Sequence, residues 1–173
     1  MKGKGKFYYK NRDIYLGEFN HDKKKGYGMY FYSDKTIFEG QWRNDKKGKY
    51  GVVRYANGCE FKGERISEEK QLGVIKYKNG DMYLGEIENE KKEGYGIMYY
   101  SNSNMYEGEW KKDARDGYGE LFYSDGGYYK GFWRDDKRNG YGENTYNNKK
   151  FEVGQWVNNQ FQKKSLFSSL FSY

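Results

Sequence analysis

The sequence predicts an all-β protein, an elongated single-layer, twisted antiparallel sheet of about seven stacked β-hairpins. Three observations lead to this prediction. An aromatic-x-Gly-x-aromatic phrase recurs every 22 or 23 residues, and a second glycine series and a tyrosine series run in phase with it. An Asn- or Asp-led pair follows each tyrosine of that series. A fixed period of about 20 to 50 residues is typical of proteins built from stacked units.

Each period contains two strands. The first carries the aromatic phrase, as in Tyr106–Trp110, which reads Tyr-Glu-Gly-Glu-Trp. The second reads Gly-x-Gly-x-x-x-Tyr, as in Gly94–Tyr100. Aromatic and β-branched residues at alternating positions suit a pleated strand. The chain therefore predicts fourteen strands that lie side by side.

The glycines inside the strands need a structural reason, because glycine normally weakens a strand. In stacked hairpins they would form channels of bare backbone on which neighbouring aromatic rings lie flat. We therefore predict a structural role for two glycine series. These are Gly17, Gly40, Gly63, Gly85, Gly108, Gly131 and Gly154 in the first strands, and Gly28, Gly51, Gly73, Gly96, Gly119 and Gly142 in the second strands.

Two kinds of connection alternate along the chain. Pairs such as Asn57-Gly58 tolerate positive φ and favour tight hairpin turns. The opposite connections, such as 21–25 and 111–116, are charged and are expected to be longer loops in water. The sequence does not decide which aromatic rings share a face of the sheet. A two-residue turn pairs Tyr9 with Ile14, whereas a bulge pairs Tyr9 with Tyr15.

The composition argues against an enzyme. Hydrophobic residues make up 35% but aromatic residues 21%, so a thin sheet sealed by rings is expected instead of an aliphatic core. Cys59 and His21 are each the only residue of their type, which disfavours a disulfide, a zinc site or a nucleophile–base pair. We expect no cofactor and no metal. The lone cysteine and the lack of an N-terminal apolar stretch favour a cytoplasmic location.

These residues resemble the MORN repeat family (membrane occupation and recognition nexus) over residues 3 to 156. The resemblance implies an array of antiparallel hairpins that serves as a cytoskeletal or ciliary scaffold, including radial-spoke components, or as a membrane tether. One unit departs from the pattern. It has Arg65 at the tryptophan position, Gln71 in place of a glycine and a connection one residue short. Neutral decay is one interpretation, and a bend or a partner-binding break is the other.

The repeat stops after Trp156, so the chain divides into a MORN array at 1–156 and a tail at 157–173. At helical spacing, the apolar residues of the tail fall on one side, which predicts a short amphipathic helix. It is expected to cap the last hairpin, with a partner groove or a membrane surface as alternatives. Those apolar residues are Leu166, Phe167, Leu170, Phe171 and Tyr173.

The leading functional prediction is a non-enzymatic scaffold that binds a helical or extended peptide along a concave, aromatic-lined face, associated with the cytoskeleton, a cilium or an axoneme. Exposed aromatic residues are enriched at binding hot spots. A homodimer through the terminal edge strands is plausible, and nucleic-acid binding is disfavoured. The candidate partner-binding residues are Tyr15, Phe38, Trp42, Tyr83, Tyr106, Trp110, Tyr129 and Trp133.

The alternative is a peripheral module that binds acidic phospholipids on the cytoplasmic side of a membrane. The net charge of +7 is uneven, because residues 1–63 hold 15 basic and 7 acidic residues while residues 64–173 hold 17 and 18. Basic residues near a membrane surface attract anionic lipid. The candidate lipid-binding residues are Lys23, Lys24, Lys25, Lys46, Lys47, Lys163 and Lys164.

Overall fold

A computed structural model describes residues 2–67, 69–147 and 150–163, which form one open antiparallel sheet of fifteen strands. Each strand pairs with the next one in the chain, and the described residues contain no helix. The all-β prediction of stacked hairpins is confirmed. The strands are β1 Gly3–Tyr8, β2 Ile14–Asn20, β3 Lys23–Phe31, β4 Ile37–Arg43, β5 Lys46–Arg54, β6 Glu60–Arg65, β7 Lys70–Lys76, β8 Met82–Glu88, β9 Lys91–Tyr99, β10 Met105–Lys111, β11 Ala114–Phe122, β12 Tyr128–Arg134, β13 Lys137–Thr145, β14 Phe151–Val157 and β15 Gln160–Phe161.

Glycines form one unbroken line across this sheet. Gly17 pairs with Gly28, Gly28 pairs with Gly40, and the same glycine-to-glycine register continues strand by strand to Gly154. A Cβ atom added at Gly17 would lie 2.5 Å from the Tyr15 hydroxyl oxygen and 2.7 Å from the Gly28 Cα. The ring of Tyr15 therefore needs bare backbone on both strands beneath it.

Alternation along each strand gives the sheet two different faces. We call the side that carries the Tyr15 ring the ring face and the opposite side the outer face. Among the described residues, fourteen hydrophobic side chains are buried, and most of them are aromatic. On this ring face the buried residues are Tyr15, Phe19, Phe38, Trp42, Phe61, Tyr83, Ile87, Met98, Tyr106, Trp110, Leu121, Tyr129, Trp133 and Trp156.

The turn after β1 decides which rings share the ring face. The Arg12 amide donates to the Tyr9 carbonyl, and the Tyr9 amide donates to the Asp13 carbonyl, which closes a three-residue loop. Arg12 has a φ of 72°, so the loop ends on a left-handed residue. This added residue places Tyr9 and Tyr15 on the same face, as the bulged alternative requires.

The charged connections are shorter than the sequence suggested. In the turn between β2 and β3, Asn20 pairs with Lys23, and only His21 and Asp22 lie between them, both with positive φ. The prediction of longer loops was wrong, because two left-handed residues match the twist of the strands. The remaining residues of the predicted loop belong to β3, where they form a bulge opposite Glu18.

The end of the array differs in one respect from the predicted boundary at Trp156. β14 continues to Val157, and the short strand β15 pairs with it, so the sheet extends to Phe161. The predicted amphipathic helix, and Lys164 with it, lies outside the described residues. Its capping role stays a prediction.

Candidate functional site

The ring face is a repeated stack of aromatic rings, and Tyr106 shows its geometry. Its hydroxyl donates to the Glu109 carbonyl at 3.0 Å. The Trp133 ring of the following unit packs edge-on against it, with 5.5 Å between ring centroids, and its indole N–H donates to the Gly119 carbonyl at 3.1 Å. Three other tryptophans bond in the same way, namely Trp42 to Gly28, Trp110 to Gly96 and Trp156 to Gly142.

A basic side chain covers the stack in most units. The Arg115 guanidinium lies 4.2 Å from the Trp133 ring centroid, and its Nε is 2.8 Å from Asp136 Oδ1 in the next unit. The Asp136 amide also donates to the Arg115 carbonyl at 3.1 Å. A cation that lies over a ring and also pairs with a carboxylate of the next unit joins the two units. The equivalent ion pairs are Lys24 with Asp45 and Lys92 with Asp113, and in the last unit Arg138 donates hydrogen bonds to the neutral Asn159 instead.

Burial changes the ionisation of the stacked tyrosines. It raises the pKa of Tyr15 and of Tyr129 to about 12, and it raises the pKa of Tyr83 and Tyr106 well above the usual value. Phenols with such pKa values stay neutral at physiological pH. The stack is therefore uncharged apart from its covering cations.

The eight predicted partner-binding residues all lie in this stack, and each is at most 5% exposed. The structure gives them a packing role, and their role in partner binding stays a prediction. Among the predicted lipid-binding residues, Lys24 is buried, with its Nζ 2.9 Å from the Tyr9 hydroxyl. Lys47 is partly buried over the rings of Tyr32 and Phe38. The exposed members are Lys23, Lys25, Lys46 and Lys163, and their lipid contacts stay a prediction.

Sequence reasoning missed a second surface, on the outer face. In the second strands from β3 to β13, the residue just before the paired glycine points away from the stack and is between 45% and 61% exposed. These residues recur on alternate strands and form a row from β3 to β13, in which residues of the intervening strands, such as Glu64 and Glu109, lie between them. We call this the outer tyrosine row, and it consists of Tyr27, Tyr50, Leu72, Tyr95, Tyr118 and Tyr141. The signal was the Gly-Tyr-Gly phrase, whose central residue must face opposite to the buried ring.

Neighbouring carboxylates hold several of these exposed tyrosines in place. The Tyr50 hydroxyl donates to Glu64 at 3.0 Å, and the Tyr95 hydroxyl donates to Glu107 at 2.8 Å. Tyr27 makes the same bond to Glu39. A fixed, exposed aromatic side chain loses little conformational freedom when a partner covers it. The row thus offers preorganised apolar area with hydrogen-bonded hydroxyls at its margin.

Other kinds of site were not found in the described part of the chain. No three His, Cys, Asp or Glu side chains in it lie close enough together to hold a metal ion. Cys59 is a partly buried free thiol. Along the same residues, no helix has the length and apolar character needed to cross a membrane.

The fold and its two faces define a repeat protein of stacked β-hairpins. A family model described as MORN repeat matches six segments of the chain, and this chain belongs to the MORN repeat family. The matched segments are 1–14, 15–37, 38–60, 83–105, 106–128 and 129–149. Residues 61–82, which contain the departing unit, lie between the matched segments.

Two solved structures from Drosophila melanogaster have a similar fold. One is the SAS-4 (dCPAP) TCP domain in complex with a proline-rich motif of Ana2 (dSTIL), with a TM-score of 0.54 and 17% identity over 89% of this chain and 85% of that chain. The other is the TCP10c domain of Sas-4, with a TM-score of 0.50 and 17% identity over 89% of this chain and 93% of that chain. At this identity the likeness concerns the fold alone. A comparison with curated protein sequences gave no significant match.

Proposed function

We propose that this chain is a non-enzymatic scaffold that binds an extended, proline-rich segment of a partner protein across its outer tyrosine row, within a cytoskeletal assembly. The observation that carries the proposal is the row itself. Its six large side chains remain half-exposed on a sheet whose opposite face already buries its rings. Large apolar side chains that a folded protein leaves exposed on one face and rimmed by polar residues mark an interaction surface.

The chemistry of the row favours an extended ligand. Aromatic grooves recognise proline-rich segments because the polyproline II conformation is already formed before binding. Tyr118 and Phe132 add a pair of exposed rings, with 5.7 Å between centroids, on adjacent strands of the row. The TCP domain with a similar fold was solved with a proline-rich motif, which supports the choice of ligand class. Family members that act as cytoskeletal scaffolds support the cellular context.

The length of the row sets the length of the ligand. From β3 to β13 there are ten strand spacings, about 48 Å at ~4.8 Å each. A polyproline II segment rises about 3.1 Å per residue, so roughly 15 residues would cover the row. Affinity should rise with the length of the peptide up to that point and then level off.

The test is fluorescence polarisation with labelled polyproline peptides of about 5, 10 and 15 residues. Tyr95→Ala and Tyr118→Ala should each weaken binding about tenfold, a typical loss for a hot-spot aromatic residue. Tyr99→Ala is the matched control, because Tyr99 lies on the same strand and face but outside the row, and is itself 39% exposed. Equal losses for Tyr95 and Tyr99, or no binding to the folded wild type, would contradict the proposal.

A further inference from the structure

In the stack on the ring face, the unit formed by β6 and β7 has a charged side chain at the tryptophan position, which buried Phe19 and Ile87 fill in two other units. Four units place an indole there, each edge-on to a tyrosine of the preceding unit, as Trp133 is to Tyr106. In this unit the residue is Arg65, whose Nη2 donates instead to the Lys47 carbonyl at 2.9 Å. The neighbouring ring of Phe38 therefore lacks the indole that covers its counterparts.

The backbone of the unit also differs at this point. Five other units have a bulge after the paired glycines, but β6 and β7 remain in continuous register from Gly63 and Gly73 to Arg65 and Gln71. The connection is one residue shorter, so the bulge is lost. The buried core divides here into two clusters, one ending at Trp42 and the other beginning at Phe61.

A cavity of about 160 Å³ occupies this break in the stack. Phe38, Phe61 and Gly51 are among the residues that line it. By register, Gly51 corresponds to Gly28, whose carbonyl accepts the indole N–H of Trp42. The cavity thus offers the ring contacts and the carbonyl acceptor that the other units provide for tryptophan.

Three basic residues line the same cavity, namely Lys47, Lys49 and Arg65, and Lys49 is already paired with Glu64. Lys47 Nζ lies 4.8 Å from the Phe38 ring centroid, and Arg65 is its neighbour. Burial, with the charge of Arg65, lowers the pKa of Lys47. Elsewhere a turn carboxylate pairs with the covering cation, as Asp113 does with Lys92 at 3.3 Å. Among the described residues, no carboxylate lies within ion-pair distance of Lys47 or Arg65.

We infer that this cavity, which we call the gap, binds a tryptophan side chain of a partner segment in which acidic residues flank the tryptophan. The indole would fill the gap and donate to the Gly51 carbonyl, while the carboxylates would pair with Lys47 and Arg65. Such a segment would supply an indole and a negative charge, neither of which the described residues provide at this gap. The gap lies on the face opposite the outer tyrosine row, so each binding mode can be tested and fail without the other.

The probe is a labelled eight-residue peptide with one tryptophan between glutamates, measured by fluorescence polarisation. Arg65→Trp fills the gap from within and should weaken binding at least tenfold while raising the Tm. Lys47→Gln should weaken binding of the glutamate peptide and leave that of a glutamine version unchanged. Arg43→Trp adds an exposed tryptophan on β4, two strands away from Arg65, and should leave binding unchanged.

Several outcomes would overturn the inference. One is retained binding by Arg65→Trp, and another is equal binding of a peptide with alanine in place of tryptophan. Absence of binding to the folded wild type at millimolar peptide would also do so. Strong thermodynamic coupling of Glu68→Gln with Lys47→Gln in the free protein would show that the chain supplies its own counter-charge, and would equally overturn it.

Discussion

The substitution Gly85→Ala tests the central packing principle of this fold, that tyrosine rings lie on bare backbone. An added Cβ atom would lie 2.6 Å from the Tyr83 hydroxyl oxygen, 2.6 Å from the Gly96 Cα and 2.7 Å from the Tyr95 carbonyl oxygen. Two of these three atoms belong to the backbone of the neighbouring strand. Neither that strand nor the fully buried ring of Tyr83 can move without losing other contacts.

The expected destabilisation is about 3 kcal/mol. Overpacking of a close-packed site costs roughly 1–3 kcal/mol. A displaced Tyr83 would also lose the hydrogen bond from its hydroxyl to the Glu86 carbonyl, of about 1 kcal/mol, and the edge contact with Trp110, of roughly 0.5–1.5 kcal/mol. Replacing glycine in a strand returns roughly 0.5–1 kcal/mol.

Urea unfolding followed by tryptophan fluorescence measures this loss. Gly126→Ser is the matched control, because a Cβ there meets nothing within 4 Å, and Ser103 occupies the equivalent turn position with a φ of 67°. The control should cost under about 1 kcal/mol. A loss below about 1 kcal/mol for Gly85→Ala, or one equal to the control, would refute the ring-on-backbone explanation. Adding Tyr83→Leu to Gly85→Ala should give a less than additive loss.

Two further predictions concern buried polar groups. Asn144 occupies the repeat position of Leu121, and its amide nitrogen has no hydrogen-bond partner among the described residues, although its Oδ1 accepts a hydrogen bond from Arg138 Nη1 at 2.9 Å. Asn144→Leu should raise stability, because removing the unpaired nitrogen and burying a leucine outweigh the loss of that bond; thermal melting checks this, and a lower Tm would contradict it. The free energy of unfolding should fall as the pH rises from 10 to about 12, because the unfolded chain ionises its tyrosines near pH 10 while burial holds the pKa of Tyr15, Tyr77 and Tyr129 at about 12 in the folded chain. The slope is ~1.4 kcal/mol per pH unit for each such tyrosine, and a flat profile measured by urea unfolding would exclude this linkage.

The sequence alone determined the repeat, the strands and the line of glycines. A period near 23 residues fixes the register, because each strand meets its neighbour at the same glycine position, as Gly85 meets Gly96. It also located the irregular unit, since Arg65 and the shortened connection are visible without coordinates. These features are local, and backbone chemistry within one unit is sufficient to specify them.

Only the tertiary structure decided which aromatic residues face water. Tyr15 is covered by Trp42, 27 residues further along the chain, and by Lys24, so its burial depends on neighbouring units and cannot be inferred from its own strand. The three-residue loop at Arg12 set the parity that brings Tyr9 onto the same face. Other tyrosines that also lie beside strand glycines, such as Tyr95, are left half-exposed on the opposite face. One added loop residue inverts the facing of a strand, and that geometry is settled only when the units stack.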